Sequence, residues 1–114
     1  MNYRFHLTEW FSRNLKQLRK RNPQLRSDLA SFFQSFEAEK HPILPGTGGV
    51  RKARMRITGR GKRGGYRVVY YWPAGKDVWL LTIYDKVRQE DLTSSEKQRI
   101  RQIVSDLKDS ASFL

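Results

Sequence analysis

From Thr8 onward, apolar residues recur at helical spacing: Trp10, Phe11, Leu15 and Leu18, with Asn14 on the same stripe. Arg13, Lys16, Arg19, Lys20 and Arg21 fall on the other side. Thr8 has an N-cap side chain, and Glu9 suits a first turn. Asn22-Pro23 ends this helix. A second stripe of Leu25, Leu29, Phe32, Phe33 and Phe36 predicts another helix over residues 24–39. The two read as a helical hairpin with one apolar side. The segment 41–50, HPILPGTGGV, has two prolines and three glycines and turns the chain from helix to sheet.

Beyond that connector the period changes to alternation. Over residues 50–57, Ala53, Met55 and Ile57 point one way and Lys52, Arg54 and Arg56 the other. TGRGKRGG, residues 58–65, reads as a flexible basic hairpin loop. Residues 66–72 form the next predicted strand, with Arg67 near its start, and Pro73-Ala74-Gly75-Lys76 is a turn. VWLLTIY, residues 78–84, is the most apolar segment and is predicted to be a central strand covered on both faces. A polar connector follows over 85–92. Thr93-Ser94-Ser95-Glu96 fits a capping box. Ile100, Ile103, Val104 and Leu107 give a last amphipathic helix, its tail over 109–114 expected to fray. Residues 2–7 are a candidate short N-terminal strand. The whole is one domain, residues 1–114. It is of the α+β class: a small antiparallel-rich twisted sheet with two N-terminal helices and one C-terminal helix. All helices are expected on one sheet face, with the basic residues on the other.

Charge sharpens this picture. Lys and Arg number 23 against 11 Asp and Glu, a net charge of +12. No acid occurs between Lys40 and Asp77, where Arg51, Lys52, Arg54, Arg56, Arg60, Lys62, Arg63, Arg67 and Lys76 cluster. Such a balance points to nucleic acid, an acidic membrane surface or an acidic protein. The absence of cysteine excludes disulfides, a thiol nucleophile and Cys-type zinc sites, and fits a reducing cytoplasm. No stretch approaches a membrane span, and the first residues have no signal-peptide pattern. His6 and His41, the only histidines, have no partners at metal-ligand spacing and read as surface or packing residues. Asp85, Glu90 and Asp91 are weak grounds for magnesium. The glycines of residues 58–65 lack the Walker pattern and a following helix.

The lysine and arginine array remains. Its plain interpretation is a solvated strand face. Three features favour a site instead. Without interleaved acids it is not balanced by salt bridges, its two adjacent strands make the charges converge, and flanking glycines let a backbone approach. RNA is cut when its own 2′-hydroxyl attacks the adjacent phosphate. That reaction needs a base, stabilisation of developing phosphate charge and a proton for the leaving 5′-oxygen. Crowded cations supply the second need and can lower the pKa of one lysine.

GTGGVRKARMRITGRGKRGGYRVVYYW followed by VWLLTIYDKVRQEDLTSSEKQRI resembles the RelE/HigB toxins of bacterial type II toxin–antitoxin modules, in the RelE/ParE superfamily. Gly65-Tyr66-Arg67-Val68-Val69-Tyr70, Tyr84-Asp85-Lys86 and Asp91-Leu92-Thr93 carry the resemblance, which spans residues 45–104. It implies a RelE-like fold and a cytoplasmic, ribosome-dependent mRNA endonuclease that inhibits translation without metal or cofactor. Ribosome, mRNA and a cognate antitoxin, of helix-turn-helix type and encoded by the adjacent gene, are the implied partners. It also implies proton-transfer and phosphate-contact roles for Lys52 and Arg54, and transition-state stabilisation by Arg67. Lys86 matches a further basic position, with Arg88 as its competitor. Lys52 is the expected base, because a guanidinium stays protonated. Arg51, Arg56, Arg60, Lys62 and Arg63 are expected RNA contacts. Several members use a C-terminal tyrosine or histidine that this chain lacks after Tyr84, so Tyr84 itself is the candidate to stack a base. Lys52 and Arg67 are expected to face solvent. Two other classes compete: a ParE-like, non-catalytic gyrase poison, and a plain basic RNA- or ribosome-binding module.

Overall fold

The computed structural model describes residues 2–60 and 64–112. Lys62 and Arg63, two of the expected RNA contacts, lie outside the described residues. In chain order come β1 (Arg4–Leu7), α1 (Glu9–Arg21), α2 (Leu25–Gln34), a single 3-10 turn (Ala38–Lys40), β2 (Val50–Met55), β3 (Tyr66–Tyr71), β4 (Asp77–Asp85) and α3 (Ser94–Ser112). The sheet order is β1-β4-β3-β2. The β2–β3 and β3–β4 pairs are antiparallel, and β1–β4 is parallel. The candidate N-terminal strand thus forms, and β4 is internal as its apolar run requires. None of the helices among the described residues is long and apolar enough to cross a membrane.

Thr8 caps α1 by accepting from the Phe11 amide at 3.1 Å. Its hydroxyl also reaches the carbonyl oxygens of Leu80 and Leu81, at 3.1 and 2.9 Å. Leu81 is the extra residue of a bulge, because Val69 pairs with Thr82 and Tyr70 with Leu80. β1 stops at Leu7, opposite Leu80. Past that point α1 takes over the flank of β4, and Asn14 donates to the Thr82 hydroxyl at 2.9 Å.

α2 ends at Gln34, five residues earlier than its apolar stripe predicts. The Ser35 hydroxyl donates to the Ser31 carbonyl at 3.1 Å and competes with the helical ladder there. The chain then tightens, and Phe36 turns into an aromatic cluster with Tyr3, Phe5, Phe32 and Tyr70. At the other end of the chain the capping box forms on Thr93. Its hydroxyl accepts from the Glu96 amide at 3.1 Å, while the Glu96 carboxylate accepts from the Thr93 amide at 2.8 Å. α3 runs on to Ser112, through part of the tail expected to fray.

The helices do not share one face. Phe11, Leu18 and Leu25 of α1 and α2 pack on Met55, Tyr66, Val68, Tyr70, Leu80 and Ile83. Ile100 and Val104 of α3 cover Val50, Val69, Tyr71 and Leu81 on the opposite face. The cause is β3. All six of its residues are buried, so both of its faces need a cover, and only α3 is left to supply the second. Lys52, Arg54 and Arg67 therefore lie on the sheet face that α3 covers, not on an open one, and Arg51 lies on the other face.

Candidate functional site

Strand register assembles the site. Lys52 pairs with Val69, Arg54 with Arg67, and Arg67 with Tyr84. Residues directly opposite each other share a face, so Lys52, Arg54, Arg67 and Tyr84 lie together across β2, β3 and β4. The Lys52 amide points outward and donates to the Pro42 carbonyl at 3.1 Å. Lys52 and Arg54 are therefore at non-hydrogen-bonded positions, where facing side chains come closest.

Arg67 is only 5% exposed, which overturns the expectation that it faces solvent. It sits on an inner strand, walled by neighbours on both sides. Its guanidinium donates to the Tyr66 carbonyl at 3.3 Å and has no carboxylate partner among the described residues. Burial first, and then Arg54, hold it below the usual arginine value. Lys52 is also partly covered, its side chain 25% exposed, and its ammonium lies 3.5 Å from the Asp91 carboxylate. Asp91 is held below the usual carboxylate range by the Leu92 amide, and further by Lys52 and Lys97.

Tyr84 is buried, so its ring has no open face on which to stack a base. Its hydroxyl is buried without a hydrogen-bond partner among the described residues. Burial, with a smaller push from Asp91, raises the phenol to about 12, so it stays protonated and able to donate. Gln89, Glu96 and Arg88 line a cleft of about 280 Å³ beside it. Arg88 thus borders Tyr84. Lys86 is instead turned into the connector, where its ammonium donates to the Glu90 carbonyl.

The remaining candidates separate. Arg51 pairs with Tyr70 and lies on the opposite face, where its guanidinium donates to the Glu39 and His41 carbonyls at 3.1 and 2.7 Å. Arg60 is bidentate on Asp85, at 2.7 and 3.2 Å, and lies over the Tyr66 ring. This latch ties one side of the basic loop to the end of β4. Arg56 is exposed just beyond β2 and, with Arg54, borders a cavity against α2.

The acid-free run is therefore partly balanced after all, by Asp85 and Asp91 folding back from beyond it. Sequence reasoning missed both roles, because no local spacing links either acid to its distant cation. His6 and His41 are packing residues: His6 stacks on Trp79 and bonds Asp77 at 2.8 Å, and His41 stacks on Phe36. Among the described residues, no group of three or more His, Cys, Asp or Glu side chains is placed to hold a metal ion.

A mixed four-stranded sheet with helices on both faces and a partly buried cluster of cations defines a small basic α+β domain suited to a polyanion. The sequence model of one family, described as the RelE toxin of the RelE/RelB toxin–antitoxin system, matches residues 3–112. The chain belongs to the RelE toxin family. Among solved structures it is similar to a mutant of the E. coli toxin RelE in the free state, with 25% identity, 87% of this chain and 97% of that chain covered, and a TM-score of 0.49. It is also similar to a chain of the intact E. coli RelBE toxin–antitoxin complex, with 22% identity, 71% and 93% covered, and a TM-score of 0.43.

Proposed function

We propose that this toxin cuts mRNA on the ribosome and so stops translation in the cytoplasm, and that a cognate antitoxin silences it. One observation carries the reading: among the described residues, Arg67 is buried without a carboxylate partner and the neighbouring Tyr84 hydroxyl without a hydrogen-bond partner, with Arg54 directly across from Arg67. A phosphodiester suits all three groups. Exposed Arg54 meets its non-bridging oxygens, and side-chain movement on binding brings Arg67 and the buried Tyr84 hydroxyl, which donates, against them. Charge building on those oxygens is stabilised by these groups.

The 2′-oxygen loses its proton and bonds to phosphorus. The bond from phosphorus to the 5′-oxygen breaks, leaving a 2′,3′-cyclic phosphate and a 5′-hydroxyl. Lys52, an ammonium paired with Asp91, suits the donating half of the reaction and protonates the departing 5′-oxygen. That reverses the base role expected of it from the sequence. The 2′-proton passes to water or to a ribosomal group, and ribosomal positioning of the message supplies the alignment.

Primer extension on an mRNA translated in a purified system tests this. Wild-type protein is expected to leave cuts within translated codons and none on the same RNA without ribosomes. Arg67→Ala is expected to lower cutting by about 10²–10³-fold. A plasmid supercoiling assay run beside it separates the ParE-like reading: altered supercoiling with no cuts would replace the nuclease by a gyrase poison.

A further inference from the structure

Arg54 and Arg56 have no ion-pair partner among the described residues. Both open onto a cavity of about 440 Å³ between α2 and the end of β2. Small-molecule sites commonly measure about 300–1,000 Å³. The walls of this one differ in chemistry. The half-buried ring of Phe32, packed on Phe33 and Phe36, offers an aromatic face. Asp28 and Ser31 of α2, and Ser35 just past its end, follow at turn spacing and form a polar rim.

That rim is fixed and rich in acceptors. The Asp28 carboxylate accepts from the Thr58 amide at 3.0 Å and from the Thr58 hydroxyl at 2.6 Å, clamping α2 to the chain leaving β2. A carboxylate has about four lone-pair sites, so capacity remains. The Ser35 hydroxyl donates to the Ser31 carbonyl and is left able to accept. On the strand side, residues 42–44 cover the outer edge of β2 only as far as Lys52. The same alternation turns the amide and carbonyl of Arg54 outward, where no described residue pairs with them.

An aromatic face, a polar rim, an open strand edge and two unpaired cations are together the parts that hold one nucleotide of a single strand. The ring stacks on the base, the rim and the strand edge read it, and the cations hold its phosphates. The geometry points to a nucleobase subsite: the cavity between α2 and β2 takes the base of the RNA nucleotide next to the scissile phosphate. It rests on the reading of the site as an RNA-cutting one. Arg54 connects the two, because it faces Arg67 across the strands and also lines the cavity. With Asp28 and Ser35 presenting acceptors, the subsite favours a base with an exocyclic amino group over uracil, which presents two carbonyl oxygens there.

The decisive probe is a 2′-O-methyl RNA tetranucleotide, which cannot be cut, titrated into the isotope-labelled full chain. The amides of Ser31, Phe32 and Arg56 are expected to shift. Phe32→Leu keeps an apolar side chain on α2 and is expected to weaken binding about tenfold. An all-uridine tetranucleotide is expected to bind more weakly than an adenosine one. Shifts confined to Lys52, Arg67 and Tyr84, with no response to Phe32→Leu, would overturn the subsite. Arg56→Gln and Ser31→Ala, both at exposed positions, carry the same test if Phe32→Leu fails to fold. In the translation assay Phe32→Leu is expected to cut less and to lose base preference at one position beside the cut, and an unchanged preference also overturns the subsite. If wild-type protein cuts nothing, the cleavage reading fails by itself, and the titration still decides the subsite.

Discussion

Arg67 is a costly residue to keep where it stands. Taking a guanidinium out of water costs several kcal/mol in effective terms, about what a well-made ion pair returns. Here no carboxylate among the described residues returns it, and Arg54 adds like-charge repulsion from directly across the strands. On the proposed reading, a group that lowers stability but serves an incoming phosphate is kept for function. Arg67→Met keeps an unbranched stem in the same space and removes the charge. It is expected to raise stability by about 1 kcal/mol or more while abolishing growth arrest. Urea denaturation and an induction assay read the two effects separately, and a clear loss of stability would mean that the guanidinium holds the fold together. Tyr84→Phe follows similar logic, since a buried hydroxyl without a partner costs about 1–3 kcal/mol. It is expected to be at least as stable as wild type and to cut about tenfold less. At this scale the sequence told which way Lys52 and Arg54 point, because alternation on β2 is clean. It could not tell that Arg67 is walled in, because that depends on which strands flank β3.

At the scale of elements, Gly65 holds β2 and β3 in the register that sets Arg54 against Arg67. A Cβ at Gly65 would lie 2.2 Å from the Met55 carbonyl oxygen, a backbone atom that cannot move without shifting the strand. Gly65→Ala is therefore expected to destabilise the protein by roughly 2–3 kcal/mol and to lower cutting in the fraction that still folds. Thermal unfolding together with the translation assay would show this, and an unchanged melting temperature would mean that the strands absorb the extra carbon. Elements with a local signal are legible in the residues alone: the Thr8 cap, the Asn22-Pro23 break and the capping box on Thr93. What misled was tertiary. The stripe of α2 runs on through Phe36, yet that ring enters the core from a turn, because the aromatic cluster outweighs helix continuity. α3 lies on the face opposite α1 and α2, although VVYY in β3 already signals a strand with two apolar sides. The parallel pairing of β1 with β4 joins residues more than seventy positions apart in the chain, a pairing that no local pattern encodes.

For the whole molecule, the shifted groups bound a window of pH stability. Burial, helped by Arg51, holds His41 below its ordinary 6.5. Asp77, bonded by His6, and Asp91, bonded by the Leu92 amide, are held below the ordinary 3.8. In all three cases the folded state binds fewer protons than the unfolded chain, so stability rises with pH. The His41 contribution is complete above pH 6.5 and is lost as pH falls through its lowered folded value. The two carboxylate contributions are lost below about 4. On the alkaline side the signs reverse. Burial raises Tyr84 from 10.0 to about 12 and raises Tyr70 further, so their contributions are complete below pH 10 and are lost above it. A net charge of +12 steepens the acid side, because each added proton increases self-repulsion. The urea midpoint is therefore expected to be nearly flat between about pH 7 and 9.5 and to fall on both sides. His41→Gln keeps a polar side chain of similar reach and cannot take the proton. It is expected to remove the first part of the acid fall, just below pH 6.5, and to leave the carboxylate fall near about pH 4 in place. If the His41→Gln curve follows wild type throughout, the early loss belongs to general charge repulsion and not to the half-buried imidazole.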